Sequence, residues 1–368
     1  SLFSHALLSL FRSIDWSPDI IHCHDWPTGL VPYLLNTSYQ KVLPSTASVM
    51  TIHNLAYQGV FPRLDLHLFS LPPEQVSASR QINMLQTGIA SADWITTVSP
   101  TYAEEIQLPE YGFQLDSLLK QRSSTFSGIL NGVDYMEWDP SSDPYIPVSY
   151  TSDTLDAKQK NKSALQEESG LEVRGDVPVI SMVTRIAEQK GFVELLSDGR
   201  SALEEIIIQL PVQIIIVGTG EQYLERSLLE LAHRYKNLSV TVTFDNRLAH
   251  LAEAGSDYFL MPSRYEPCGL NQIYSLKYGT IPIVRRTGGL ADTVRDIRPE
   301  EQTGTGFLFD QLQSESIFEA VHQAVQFWID QPDAYRQAQI RAMNMDFSWN
   351  ISAQAYENVY TKLRRNQS

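Results

Sequence analysis

The sequence predicts an α/β protein made of two doubly wound domains that face each other across a cleft, and three observations predict it. Short apolar runs alternate with helical segments along a chain of 368 residues. A Pro-, Ser- and Asp-rich stretch, DPSSDPYIPVSYTSDT over 139–154, divides that alternation into two series. Both series share one style, strand then tight turn then helix, which places ligand sites at the carboxyl ends of parallel strands. At 43% hydrophobic and 10% aromatic the chain can bury substantial cores, and its length favours two domains over one.

The elements follow in order. Residues 1–11 read as an amphipathic helix with Leu2, Phe3, Ala6, Leu7, Leu10 and Phe11 on its apolar face. Because that helix opens in mid-fold and the first residue is Ser1 rather than Met, the chain reads as truncated and its first domain as incomplete. A strand over 19–23 leads to a helix around 29–35; strands at 48–53 and 94–98 follow. Ser99 suits a helix N-cap and Pro100 the first turn behind it. The stretch 139–154 punctuates rather than packs, which gives a first domain over 1–150 and a second over 151–345. A polar helix over 155–168 introduces strands at 177–183, 213–217, 240–244, 257–262 and 280–285. The closing segment, 346–368, carries a helix over 353–363 whose Tyr356, Val359, Tyr360 and Leu363 share a face able to pack back on either domain, the first included.

Composition bounds the function. The net charge of −15 argues against a nucleic-acid binder, which needs clustered Lys and Arg. The longest apolar runs are too short to cross a bilayer and no charged-then-apolar leader opens the sequence, so a cytoplasmic protein with no membrane partner is expected. Cys23 and Cys268 have neither CxxC nor His-rich spacing and read as reduced, with no disulfide and no metal site. Oligomeric state has no signature here.

Two strand-to-helix turns carry the chemistry. In PSRYEPCGL, over 262–270, Glu266 stands immediately before a tight turn; RRTGGL, over 285–290, is the second. Together they could aim free backbone N–H groups at one anion, and a sugar diphosphate is the natural guest. Glu266 has a second explanation, the satisfaction of neighbouring amides. Arg185 and Lys190 in TRIAEQKG stand at a sheet edge, either as solvated loop charges or as cations that gain value while a diphosphate departs. Gly218 lies in VGTG after an Ile-rich strand, but Tyr223 occupies the place of the third glycine of a dinucleotide fingerprint, so a tight turn outranks an NAD clamp. His53 in TIHNLAYQG is either structural or turned to the cleft. Asp25 in HCHDWPTGL reads equally as an N-cap before Pro27 or as a carboxylate for substrate hydroxyls, and Asn131 in GILNGVD either holds an Asn-Gly turn or meets a ligand. Neither a Ser-His-Asp triad nor a metal cluster is identifiable.

HDWPTGL, TIHNLAYQGVFP, TTVSPTYAEEI, ILNGVDYMEWDP, NKSALQEESGL, SRYEPCGLNQIYSLKYGTIPIVRRTGGLADTV and MDFSWN occur in that order over nearly the whole chain. In these strings the chain resembles the bacterial-type glycogen (starch) synthases, retaining glycosyltransferases of family 5. The resemblance implies the GT-B fold, with two Rossmann-like domains facing across a cleft. It implies transfer of glucose from ADP-glucose to an α-1,4-glucan with retention, without a metal or bound cofactor. Matched by position, Glu266 would hold the donor glucose with the amides of Cys268, Gly269 and Leu270 beside it. Arg185 and Lys190 would stabilise the diphosphate, which rests on Thr287, Gly288 and Gly289, while Gly218 lies on the donor side and Phe244 stacks on adenine. His53 would lie next to the reacting carbon, and Asp25, Asn131, Asn54, Tyr57 and Gln58 would serve sugar and acceptor. The sequence departs from the family at two places. A Lys-Thr-Gly-Gly-Leu loop is absent, with roughly a hundred residues that would carry it, the size of several βα units; and Pro27 stands where the motif has His. Those departures support, as alternatives, an impaired fragment or a glucan-binding protein, beside a related retaining transferase with another donor.

Overall fold

The computed structural model describes residues 2–62, 81–197 and 201–365. The chain forms two compact units, Ser1–Asn131 with Asn350–Ser368, and Gly132–Trp349. The first contains strands β1 (Ile20–His24), β2 (Ala47–Ile52), β3 (Val60–Pro62), β4 (Gln81–Asn83), β5 (Trp94–Thr97) and β6 (Phe126–Gly128). Four of them make a parallel sheet in the order β1-β2-β5-β6, while β3 and β4 pair antiparallel. Ser99 caps the helix Pro100–Glu105 by accepting from the amide of Tyr102, as its place before Pro100 predicts.

The opening helix, Leu2–Ser13, buries Ser4, Leu8 and Phe11 against the core, leaving Leu2, Phe3 and Leu10 exposed. Its inward stripe is therefore about a third of a turn from the expected apolar face, with Phe11 shared by both. The closing helix, Trp349–Arg365, buries Val359 and Leu363 with Ala47, Val49, Trp94 and Ile129 of the first unit. Polar ties join the same surfaces: Ser352 Oγ donates to the carbonyl of Leu130, and Tyr360 bonds His22 Nδ1 at 2.7 Å.

The second unit holds β7 (Val179–Val183), β8 (Gln213–Val217), β9 (Leu238–Thr241), β10 (Tyr258–Met261), β11 (Ile281–Arg285) and β12 (Phe307–Phe309). All are parallel, in the order β12-β11-β10-β7-β8-β9. The chain winds outward from β7 through β8 to β9, returns to β10 on the other side of β7, and winds outward again. This is the doubly wound order whose reversal point, between β7 and β10, leaves a crevice at the carboxyl ends of both strands. β9 stops at Thr241, three residues short of the expected end, because Asp245 caps the helix Asn246–Gly255 and draws the chain off the sheet.

The Pro-, Ser- and Asp-rich stretch lies within the second unit rather than at its edge. Two of its aspartates hold local turns, and Asp143 is buried. Asp139 and Asp143 accept from amides two residues on, at Ser141 and Tyr145; Tyr150 is buried and donates to the carbonyl of Tyr278. The helix behind it, Lys158–Glu168, is polar by composition yet buries Lys158, Asn161, Lys162 and Gln166. Lys158 Nζ donates to the carbonyls of Glu253 and Ala254 and to Thr280 Oγ1 at 3.1, 2.9 and 2.7 Å, and Lys162 Nζ meets Asp257 at 2.7 Å.

Burial pushes Lys158 down to about 7 and the Glu253 carboxyl up to about 8. Glu253 receives a hydrogen bond from Ser275 at 2.7 Å, and its Oε1 has no partner. Folded Glu253 thus keeps a proton that the unfolded chain releases above its ordinary value of 4.5, so its contribution to stability is full below 4.5 and is lost as pH rises toward 8. The stability of the wild type minus that of Glu253→Gln should therefore fall with rising pH in that window, by up to about 1.4 kcal/mol per pH unit. Urea unfolding of both proteins across the window measures the difference, and a flat line would refute the assignment.

Candidate active site

The crevice between β7 and β10 opens on a cavity of about 240 Å³ lined by Val183, Thr184, Lys190, Ser263, Glu266 and Leu270, among others. Lys190 ends a 3-10 turn, Glu188–Lys190, closed by Gly191 at φ +81°. A Cβ on Gly191 would stand 2.0 Å from the carbonyl oxygen of Pro262, so glycine lets the turn lie on the end of β10. Lys190 Nζ reaches Glu266 Oε2 at 2.5 Å, with side-chain exposures of 15% and 7%. Ser263 Oγ donates to the same oxygen at 2.9 Å. The carboxylate thus meets a cation and a hydroxyl; the expectation that it might only cap neighbouring amides is replaced by this pairing.

The two strand-to-helix turns lie directly against each other. The amide of Gly289 donates to the carbonyl of Glu266 at 3.0 Å. A Cβ on Gly288 would come within 2.0 Å of that same oxygen, and one on Gly289 within 1.9 Å of the Cys268 oxygen. The turns abut, and the amide of Gly289 is spent joining them rather than left for a ligand. Thr287 precedes the helix Gly288–Thr293, and Cys268 is buried. Gly269 has φ +67° and Leu270 stands at the N-cap of the helix Asn271–Lys277.

Other donor-side candidates lie around this core. Arg185, exposed two residues past β7, is not among the cavity-lining residues; it donates to Gln189 Oε1 at 3.0 Å, and Gln189 donates in turn to the carbonyl of Tyr265. Gly218 passes so close to β7 that a Cβ would sit 1.8 Å from the Thr184 oxygen. That close approach accounts for the glycine as a packing requirement of the turn. Phe244 lies beyond β9 with 92% of its surface exposed.

In the first unit, Asp25 and His53 meet at the ends of β1 and β2. Asp25 Oδ1 accepts from the backbone amide of His53 at 2.8 Å, and Asp25 itself adopts φ +55°. The capping alternative fails: the N-cap of the short helix Asp25–Thr28 is His24, which makes no side-chain cap. His24 Nδ1 lies 3.0 Å from His53 Nε2, and His22 stacks on His24 with ring centroids 4.3 Å apart. Burial, then the neighbouring imidazoles, drives His22 down to about 4, and burial and then His53 lower His24. No group of three or more His, Cys, Asp or Glu among the described residues could hold a metal ion.

Asn54 accepts from the amide of Ala56, and Gln58 donates to the carbonyls of Leu55 and Phe113 while accepting from Asn83. Both amide side chains thus shape the loop after β2, from which Tyr57 projects at 54% exposure. Asn131 ends the first unit. The glycine after it answers to close packing: a Cβ on Gly132 would lie 2.5 Å from the Trp349 backbone. Sequence reasoning passed over Ser263, His24 and Gln272; only Ser263, three residues before Glu266, carried a local signal in its spacing.

Comparisons with known proteins bear on the family and the fold. Residues 1–121 match the starch synthase catalytic domain model, and residues 166–341 match that of glycosyl transferases group 1. A glycogen synthase of Treponema denticola is 46% identical over 366 residues, covering 98% of this chain and 74% of that protein. One from Thermotoga petrophila is 44% identical over 98% of this chain and 75% of its own length. The chain belongs to the glycogen and starch synthase family of glycosyltransferases. Among solved structures, the catalytic domain of starch synthase IV from Arabidopsis thaliana, bound to ADP and acarbose, superposes with a TM-score of 0.90 at 33% identity, covering 99% of this chain and 76% of that one. A sucrose-phosphate synthase from Thermosynechococcus elongatus, 19% identical with a TM-score of 0.61 over 98% of this chain and 77% of that one, shares the fold alone. The fold is of the GT-B class. In this family, then, the chain is a glycosyltransferase whose substrates are a nucleotide sugar and a glucan. No described helix is long and apolar enough to cross a membrane.

Proposed function

We propose that the protein transfers glucose from ADP-glucose to the non-reducing end of an α-1,4-glucan with retention of configuration. One observation carries the reading: the buried Lys190–Glu266 pair stands beside two abutting helix-opening turns at the reversal point of the second sheet. With Oε2 of Glu266 engaged by Lys190 and Ser263, Oε1 accepts from the hydroxyls of the donor glucose. Lys190, Arg185 and the turns at Cys268–Leu270 and Thr287–Gly289 take the diphosphate, Gly218 lets the donor approach the sheet edge, and Phe244 stacks on the base. His53 serves the reacting carbon; Asp25, Asn54, Tyr57, Gln58 and Asn131 serve sugar and acceptor. The acceptor hydroxyl oxygen bonds to the anomeric carbon as its bond to the diphosphate breaks. The proton passes to the departing phosphate oxygen on the same face, so no protein nucleophile is needed, and catalysis consists of orientation and charge stabilisation.

Support comes from the relatives named glycogen synthase and from the ADP held by the Arabidopsis enzyme. Incubation with glycogen and radiolabelled ADP-glucose or UDP-glucose tests the proposal. The expected result is label in chain ends released as maltose by β-amylase, with ADP-glucose strongly preferred. Incorporation from UDP-glucose alone, or from neither donor, would overturn it.

A further inference from the structure

Gln272 is wholly buried beneath the turn that follows Glu266, on the first turn of the helix Asn271–Lys277. Its Nε2 donates to the carbonyls of Cys268 and Gly269, both at 3.0 Å, and lies 3.2 Å from Thr293 Oγ1. Thr293 Oγ1 in turn donates to the carbonyl of Gly289 at 2.6 Å. A single amide nitrogen therefore ties both turns together, directly on one side and through Thr293 on the other. The opposite atom of the same side chain, Oε1, is buried with no partner. Flipping the amide would set that oxygen against two carbonyls, so the unsatisfied acceptor is the cost of presenting the nitrogen.

In a trans peptide the C=O and the following N–H point in opposite directions. Pinning the Cys268 and Gly269 carbonyls inward on Gln272 therefore turns the N–H groups of Gly269 and Leu270 the other way. Gly269 and Leu270 both line the cavity that contains Lys190 and Glu266. Position 269 is a glycine because its backbone is left-handed, φ +67°, and a Cβ there would also stand 2.4 Å from Gln272 Oε1. We infer that Gln272 is a positioning residue that fixes the direction of the Gly269 and Leu270 amides toward the diphosphate of the donor. The inference rests on the donor reading above and adds the group that holds its amides in place. Amides aimed in advance at developing charge need no reorganisation while the bond breaks, which is where such donors gain their value.

Two substitutions at this position test it. Gln272→Met keeps length and apolar bulk but removes the donor. Gln272→Glu keeps shape and sets a carboxyl against three acceptors. ADP affinity by calorimetry, kcat and KM for ADP-glucose, and KM for glycogen are measured for each and for the wild type. The Met variant should lose about tenfold or more in ADP affinity and in kcat/KM for the donor, with KM for glycogen unchanged. In the Glu variant, activity relative to the wild type should climb between about pH 8 and about pH 6, because a buried carboxyl facing oxygens takes up a proton and regains one O–H donor. A role in filling space predicts equal, pH-independent effects in both. Variants that bind ADP as the wild type does, or a Glu variant without that pH response, overturn the inference; if the Met variant fails to fold, the pH response decides. A wild type that binds no ADP would instead sink the donor reading, and this inference with it.

Discussion

Replacing Glu266 by Gln is expected to lower kcat by about 10²–10³-fold while the protein stays folded, the scale found when one preorganised polar contact to a transition state is removed. The glutamine keeps the volume of the side chain and an oxygen for Lys190 Nζ and Ser263 Oγ, which lie 2.5 and 2.9 Å from the carboxylate. What it removes is the charge that fixes Lys190 and the anionic acceptor for sugar hydroxyls. Alanine is the poorer probe. Lys190 is only 15% exposed, and stripping a largely buried ion pair of one partner costs about 3–5 kcal/mol, so lost activity would mix with lost stability. Steady-state kinetics with ADP-glucose and glycogen, beside thermal melts, separate the two effects. Near-normal turnover in Glu266→Gln would remove the carboxylate from the mechanism.

Much of this architecture was legible because buried parallel strands are written as apolar runs between turn residues. β8 falls on 213–217 as read, and β2, β5, β7, β10 and β11 begin or end within two residues of their expected limits. β6 and β12 escaped because they are edge strands of only three residues, Phe126–Gly128 and Phe307–Phe309, too short for alternation or a sustained apolar run to mark them. The stretch 139–154 misled for a different reason. Asp, Ser and Pro are as useful for local turns in a packed segment as in a linker. Asp143 also bonds His250 Nδ1 and receives the hydroxyl of Tyr278, partners more than a hundred residues away that composition does not reveal. The site shows the same division. Glu266, Lys190 and the glycines of both turns stood out by their places at strand ends. The roles of Gln272 and Ser263 depend on which turns the crossovers bring together, and Asp25 bonds the amide of His53 only because β1 pairs with β2.

The abutment of the two turns leads to the other large effect. Gly289→Ala would place a Cβ 1.9 Å from the oxygen, 2.5 Å from the carbonyl carbon and 2.6 Å from the Cα of Cys268. All three are backbone atoms, so no side chain can swing aside and the turns themselves must part. Parting breaks the hydrogen bond from the Gly289 amide to the Glu266 carbonyl and shifts the residues that line the cavity containing Lys190 and Glu266. Overpacking of this kind costs about 1–3 kcal/mol or more in stability. A shift of about 1 Å in positioned groups can cost about 10²-fold in rate, so donor turnover should fall at least as steeply as stability. Gly170→Ala supplies the control. Gly170 also has a left-handed backbone, φ +69°, but a Cβ there meets nothing within 4 Å. Its substitution should cost about 1–2 kcal/mol of backbone strain and leave kcat unchanged. If both variants lose stability alike and neither loses turnover, contact between the turns is only a matter of folding; if Gly289→Ala alone loses turnover and ADP affinity, that contact holds the donor site in shape.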